Sequence, residues 1–272
     1  MRLIAVAMFC FLTSGTFAQG SKGTLILTGG ELLPEALQRF VKDAGGENAR
    51  IVYIPTGASE LKLPSGYIHN PDSVSKNAEF AAELRKLFGV KNIVILHTRD
   101  RSTADSKAFV ASLENADGVW LGAGNSGRIA EAYLGTLTQR KLMELLERGK
   151  VIGGHSAGAI IQGSFIVRGR YDKPLLMPKG KTTGFGFLNN VVVNAHIISA
   201  RRENELIDVL DTNPALLGIG LDDNSVIEVR NNVFEVIGPG KVAIYDNVKR
   251  DNSWYYWLKT GDKFNISIRK KE

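Results

Sequence analysis

Gly154, Ser156 and Gly158 complete a Gly-x-Ser-x-Gly pattern directly after the apolar run Val151–Gly153. Such a segment reads as a buried strand, a sharp turn and the start of a helix, with the serine hydroxyl projected from the turn. Glycines two residues to either side let strand and helix pack closely there. The N–H of Ala157 then points to where an oxyanion would form in acyl transfer. The competing interpretation is a glycine-rich turn that only packs a helix or binds an anion.

A serine at neutral pH needs a base to take its proton. The chain offers four histidines: His69, His97, His155 and His196. His155 adjoins Ser156 and would point away from it, and His69 lies in a polar loop. His97 ends an apolar run, from where it can line the rim of a site. His196 follows the run Val191–Val193 and is the only histidine downstream of the serine, which makes it the candidate base. An orienting carboxylate can come from Asp222 or Asp223, adjacent after Gly218–Leu221, and the residues leave that choice open. The order Ser, His, Asp differs from the Ser, acid, His order of α/β-hydrolases, which disfavours an ordinary esterase or lipase.

The elements that must carry these side chains alternate along the chain. Thr24–Thr28, Arg50–Ile54, Asn92–Leu96, Val119–Leu121 and Val151–Gly153 read as buried strands, because continuous β-branched runs suit a parallel sheet covered on both faces. Helical patterns lie between them at Pro34–Ala44, Ser75–Phe88, Ser106–Asn115, Gly127–Tyr133 and Thr138–Arg148. A strand at Val191–Val193, a helix at Arg201–Leu210 and a strand at Leu217–Leu221 follow. This is an α/β, doubly wound, mostly parallel sheet with helices on both faces. The β-rich tail, about 226–272, has runs at Val226–Val229, Val233–Ile237, Val242–Tyr245 and Phe264–Ile268 separated by turn residues, and should add antiparallel strands at a sheet edge. Ligands of such sheets bind beyond the carboxyl ends of the strands, so Ser156, His196 and an aspartate should converge at one sheet's carboxyl edge.

In this order of Ser156, His196 and Asp223 the chain resembles the cyanophycinase and aspartyl dipeptidase family of serine peptidases. Leu27-Thr28-Gly29-Gly30-Glu31 is similar to that family's opening glycine loop, and Ile54-Pro55-Thr56 to the end of its second strand. Gly154-His155-Ser156-Ala157-Gly158-Ala159 resembles its nucleophile motif, usually Gly-Thr-Ser-Ala-Gly-Ala, and Gly218–Asp223 resembles Gly-Ile-Gly-Ile-Asp-Glu. Ala132–Thr136 and Phe234–Gly238 are similar to exported, cyanophycinase-like members.

The resemblance implies a class I glutamine amidotransferase-like fold, Asp223 as the third catalytic residue, and hydrolysis of peptide bonds at aspartyl residues. Cyanophycin, a polyaspartate carrying arginine side groups, is the best-known substrate of that family. The resemblance also implies a homodimer. The family's Gly-Gly-Asp-Gln loop stands here as Ala123-Gly124-Asn125-Ser126, which keeps a glycine to complete the oxyanion hole, through the N–H of Gly124 or Asn125 beside Ala157. Of the arginines that follow the histidine in cyanophycinases, Arg202 matches, whereas Ala200 and Glu205 stand where arginine is usual. Arg202, Arg168, Asp222 and His97 form the candidate substrate-binding set, with a peptide, either an aspartyl peptide or a cyanophycin-like polymer, as the expected partner.

Composition sets outer bounds. The chain has 272 residues, 44% hydrophobic and 23% charged, as in ordinary globular proteins. Its 34 Lys and Arg outnumber 28 Asp and Glu but are scattered, so no nucleic-acid partner is expected. Arg2, the apolar run Leu3–Leu12 and Thr16-Phe17-Ala18 read as a signal peptide over 1–18, with 19–272 as a single α/β peptidase domain, periplasmic or secreted, and with no stable membrane anchor after cleavage. Cys10, the one cysteine, lies within that signal. No metal-ligand spacing, phosphate loop or dinucleotide fingerprint is present, so neither metal nor cofactor is expected. A catalytically silent binding protein on the same scaffold, and an exported serine esterase or amidase, are the alternatives.

Overall fold

Short apolar runs form the strands and amphipathic stretches cover them. The computed structural model describes residues 22–62, 68–74, 78–168 and 181–272, so the expected signal peptide lies outside the described residues. In its first half, strand β1 (Thr24–Thr28) leads to helix α1 (Pro34–Ala44) and strand β2 (Arg50–Ile54). A small hairpin of β3 (Leu61–Lys62) and β4 (Ile68–His69) follows, then α2 (Pro71–Val74), α3 (Ala78–Phe88), β5 (Asn92–Ile95), α4 (Arg101–Ala104) and α5 (Lys107–Glu114). Next come β6 (Gly118–Leu121), α6 (Ser126–Tyr133), α7 (Leu137–Glu147), β7 (Val151–His155), α8 (Ala157–Ile160) and β8 (Gly163–Ile166).

The second half runs through β9 (Leu188–Ala195), α9 (Glu205–Thr212), β10 (Leu217–Leu221), β11 (Val226–Arg230), β12 (Val233–Val236) and β13 (Val242–Tyr245). It ends with β14 (Tyr256–Leu258), β15 (Lys263–Asn265) and β16 (Lys270–Lys271).

Two sheets, not one, carry the strand ends that matter. The larger has nine strands in the order β16-β15-β12-β11-β1-β7-β6-β2-β5, parallel from β1 to β5 and antiparallel from β11 outward. The smaller has five, β14-β13-β10-β9-β8, with β8, β9 and β10 parallel. The expectation that nucleophile, base and acid share one sheet edge is thereby corrected: β7 belongs to the larger sheet, and β9 and β10 to the smaller. Both kinds of strand are apolar on both faces, so local pattern does not distinguish the sheets.

Alternation sorts the side chains into layers. Ile26, Ile51, Tyr53 and Trp120 face α1 and α3, where Phe40 and Phe88 meet Trp120 edge-on. Leu25, Leu27, Val52 and Ile54 face the other way and share one core with Val191, Val193, Leu217 and Ile219 of the smaller sheet. Val192 points to the far side of that sheet, against Leu206, Val209 and Leu210 of α9.

Several expected boundaries shift. The helix expected from Arg201 starts at Glu205, because Arg201 takes a positive φ of 54° within a turn. The single strand expected over Phe264–Ile268 is two short strands around a reversal, with Arg269 at φ 53°. The helix expected from Ser75 is described from Ala78, and residues 75–77 lie outside the described set. β8 and β14 were not expected from the sequence.

Candidate active site

β7 runs into a turn that only close-packed glycines permit. A Cβ placed on Gly158 would lie 2.0 Å from the Leu121 carbonyl oxygen, and one on Gly154 would lie 2.4 Å from the Gly158 oxygen. With both glycines the turn sinks against β6 and lifts Ser156 to φ 50°, ψ −111°, a conformation costing roughly 1–3 kcal/mol for a residue with a Cβ. The Ser156 N–H donates to Thr28 O at 3.0 Å, which ties the turn to β1.

His196 follows β9 at φ 57° and brings its Nε2 to 2.8 Å from Ser156 Oγ. Its Nδ1 is hydrogen-bonded to Asp223 Oδ1. A carboxylate can only accept, so Nδ1 carries the proton and Nε2 is left to accept from the serine hydroxyl. Burial pulls the Asp223 carboxyl up, but hydrogen bonds from Ser199 and His196 outweigh it and hold it below the ordinary carboxylate range. The His196 and Asp223 side chains remain 31% and 39% exposed, so the cluster is open to a substrate.

Gly30 permits the close approach of the acid's turn, since a Cβ there would lie 2.7 Å from the Asp223 Cα. Asp222 is tied instead to the turn itself, its N–H donating to Ser225 Oγ at 2.9 Å. Of the two adjacent aspartates, Asp223 is the one that meets the imidazole.

Two backbone N–H groups, those of Ala157 and Gly124, have no acceptor among the described residues. Asn125 is corrected as an oxyanion donor. Its N–H donates to Gly57 O at 2.8 Å, and its side-chain oxygen accepts from the Arg128 N–H at the start of α6.

The remaining candidates are placed as follows. His155 is buried, accepts from Trp120 Nε1 at 3.0 Å, and is pushed down by that burial to a pKa of about 4, so it is neutral and turned away from Ser156. His97 is bonded through Nδ1 to Thr56 Oγ1 and through Nε2 to Asp72 Oδ1, both at 2.9 Å. Burial lowers its pKa against the opposing pull of Asp72. His69 lies in β4.

Arg168 is ion-paired with Glu205, which also accepts from Asn194 Nδ2 at 2.9 Å, so the structure commits Arg168 to an internal carboxylate. Arg202 Nη1 donates to Ala195 O at 2.9 Å and its backbone N–H to Ile197 O at 2.7 Å, and its other guanidinium donors have no acceptor among the described residues. Burial and the neighbouring Arg168 both lower its pKa, while Glu205 and Asp223 oppose them. Ser199, bonded to Asp223, was not singled out in the sequence; a lone serine three residues past a histidine carries no pattern. Among the described residues no group of three or more His, Cys, Asp or Glu could hold a metal ion, and no helix is long and apolar enough to cross a membrane.

Comparisons with known proteins converge. A family model described as Peptidase family S51 matches residues 24–237. The chain is 30% identical over 222 residues to a cyanophycinase of Nostoc sp., covering 78% of this chain and 68% of that one. It is 27% identical over 216 residues to a cyanophycinase of Geminocystis herdmanii, covering 78% and 75%. Among solved structures it is similar to a peptidase from an acI-B1 Actinobacterium, with a TM-score of 0.63 and 21% identity over 91% of this chain and 98% of that one. It is also similar to a putative peptidase E protein from Listeria monocytogenes, with a TM-score of 0.53 and 14% identity over 80% and 99%. At those identities the structural likeness speaks to the fold alone.

Proposed function

Because the chain belongs to Peptidase family S51 and is a serine-type peptidase, we propose that it is an exported enzyme hydrolysing peptide or isopeptide bonds at aspartyl residues, with Ser156, His196 and Asp223 as its catalytic unit. The observation that carries this reading is the 2.8 Å contact between Ser156 Oγ and His196 Nε2, with Asp223 on the opposite ring nitrogen.

The steps follow from that geometry. His196 Nε2 takes the serine proton as the Oγ–C bond forms at the scissile carbonyl. The carbonyl oxygen, now negative, is met by the N–H groups of Ala157 and Gly124, a kind of contact worth roughly 2.7–4 kcal/mol per donor in the transition state. The C–N bond then breaks and the leaving amine takes the proton from His196. Water, deprotonated by the same nitrogen, attacks the acyl carbon, and as the Oγ–C bond breaks His196 Nε2 returns the proton to Ser156 Oγ. Asp223 keeps the imidazole in the tautomer both half-reactions need.

Aspartyl preference is supported by Arg202, a half-buried guanidinium with free donors near Asp223, suited to a substrate carboxylate. The N-terminal run Leu3–Leu12 supports export. Incubation with a panel of aspartyl dipeptides beside cyanophycin, with products read by mass spectrometry, tests the reading. Cleavage on the carbonyl side of aspartate is expected. Cleavage only at non-aspartyl bonds would refute it.

A further inference from the structure

The Gly124 N–H is set in place by a neighbouring turn rather than by its own strand. Gly122 N donates to Ile54 O at 2.9 Å and Asn125 N donates to Gly57 O at 2.8 Å, so two backbone bonds bracket Gly124. A Cβ on Gly124 would lie only 2.2 Å from Gly57 O, so the loop and the turn touch backbone to backbone. Any displacement of residues 55–58 is therefore passed to the Gly124 N–H.

The turn is closed by Ala58 N donating to Pro55 O at 2.9 Å, and it is gripped from its outer side. Arg99 Nη2 donates to Ala58 O at 2.9 Å, while Arg99 Nε donates to Asp72 Oδ1 at 3.0 Å. The same Asp72 oxygen accepts from His97 Nε2. The order of donors then runs one way: His97 Nδ1 accepts from the Thr56 hydroxyl, which accepts from Tyr133, which accepts from the Thr98 N–H. The Thr56 end of this chain is buried and anchored in the core. The Ala58 end rests on the planar fork of Arg99, which bridges a carbonyl and a carboxylate, while Arg128 Nη1 makes a longer contact of 3.4 Å to Gly57 O on the inner side of the same turn.

We propose that Arg99 is a positioning residue for the oxyanion hole, holding the 55–58 turn against the 122–125 loop so that the Gly124 N–H faces the developing oxyanion. The inference rests on Gly124 acting as an oxyanion donor in the serine mechanism above. Arg99 touches no reacting atom, so its effect falls on the transition state and not on ground-state binding.

The test uses the full-length protein, with aspartyl p-nitroanilide as substrate, the aldehyde of aspartate as a ligand that forms a tetrahedral adduct with the serine, and free aspartate as a ground-state ligand. Arg99→Met is expected to lower kcat by roughly ten- to a hundredfold, the scale of a donor displaced but not deleted, with KM within about twofold. Aldehyde affinity should fall in parallel while aspartate affinity stays unchanged. Arg99→Lys should recover part of both losses, and Asp72→Asn, at an exposed position, should reproduce them to a smaller degree without depending on the fold of the Arg99 variant. Unchanged kcat in Arg99→Met and Asp72→Asn, or a kcat loss with aldehyde affinity retained, overturns the proposal. A wild-type protein that forms no adduct, or a Ser156→Ala variant that keeps turnover, overturns the serine reading itself and the proposal with it.

Discussion

His196 Nε2 lies 2.8 Å from Ser156 Oγ although the two residues extend strands of different sheets, β7 of the nine-stranded and β9 of the five-stranded one. The contact therefore depends on how the sheets are held together. Leu25 and Leu27 of one sheet, and Val193 and Ile219 of the other, lie in the shared core beneath it.

The first prediction follows from that dependence. Ile219 is fully buried in the shared core, and Ile219→Ala should lower stability by about 2–5 kcal/mol, the range for such truncations. Chemical denaturation with an unchanged slope measures it. A loss below about 1 kcal/mol would mean that the inter-sheet core does not hold the two halves of the site together.

The two aspartates separate by role. Asp223→Asn should reduce kcat about 10⁴-fold, because an amide at that place favours the wrong imidazole tautomer. Asp222→Asn should cost less than about tenfold, because its backbone, not its carboxylate, serves the turn. Steady-state kinetics on both variants decides the matter, and a reversed ranking would assign the orienting role to Asp222.

Much of the fold was legible. β1 and β2 have the bounds their five-residue, β-branched-rich runs suggest, β10 those of its short apolar run, and α1 those set by Pro34 at its start and Gly45 after its end. The division into two sheets was not legible, since Val191–Val193 and Thr24–Thr28 read alike, and pairing partners are a tertiary choice. Ser156, His196 and Asp223 could be singled out because each follows a strand, and the fold brings their side chains into contact. The ion pair of Arg168 with Glu205 joins residues 37 apart in sequence. The capture of the Asn125 N–H by Gly57 is equally non-local. Neither leaves a local pattern.

His155 sets an acid-side dependence. In the fold it stays neutral down to about pH 4 because burial disfavours the charged ring, whereas in the unfolded chain it takes a proton near the ordinary imidazole value of about 6.5. Between those values protons bind the unfolded state and favour it, so His155 makes stability fall as pH drops from about 6.5 to about 4, by at most ~1.4 kcal/mol per pH unit. Below that window the loss levels off. Replacing the ring with a non-titrating amide in His155→Gln should flatten the stability curve over this range. Identical slopes for the two proteins would show that the folded histidine titrates normally.

Substrate choice follows from the arginine and glutamate beside the site. Cyanophycin presents a guanidinium near each aspartyl carbonyl and needs a carboxylate to receive it. Glu205 is already committed to Arg168 and Asn194. Cyanophycin should therefore be turned over at least roughly tenfold more slowly in kcat/KM than a short aspartyl peptide, about 1.4 kcal/mol in barrier. Kinetics on both substrates measures the ratio, and a preference for cyanophycin would place its guanidinium elsewhere.

The central claim, that Ser156 is a nucleophile activated by His196, is most directly tested by intact-mass and peptide-mass analysis after exposure to a fluorophosphonate. A single adduct on the peptide containing Ser156 is expected, absent in Ser156→Ala and formed far more slowly in His196→Ala. A wild-type protein left unlabelled while it cleaves aspartyl peptides, or labelled on another residue with Ser156→Ala still active, would contradict the account.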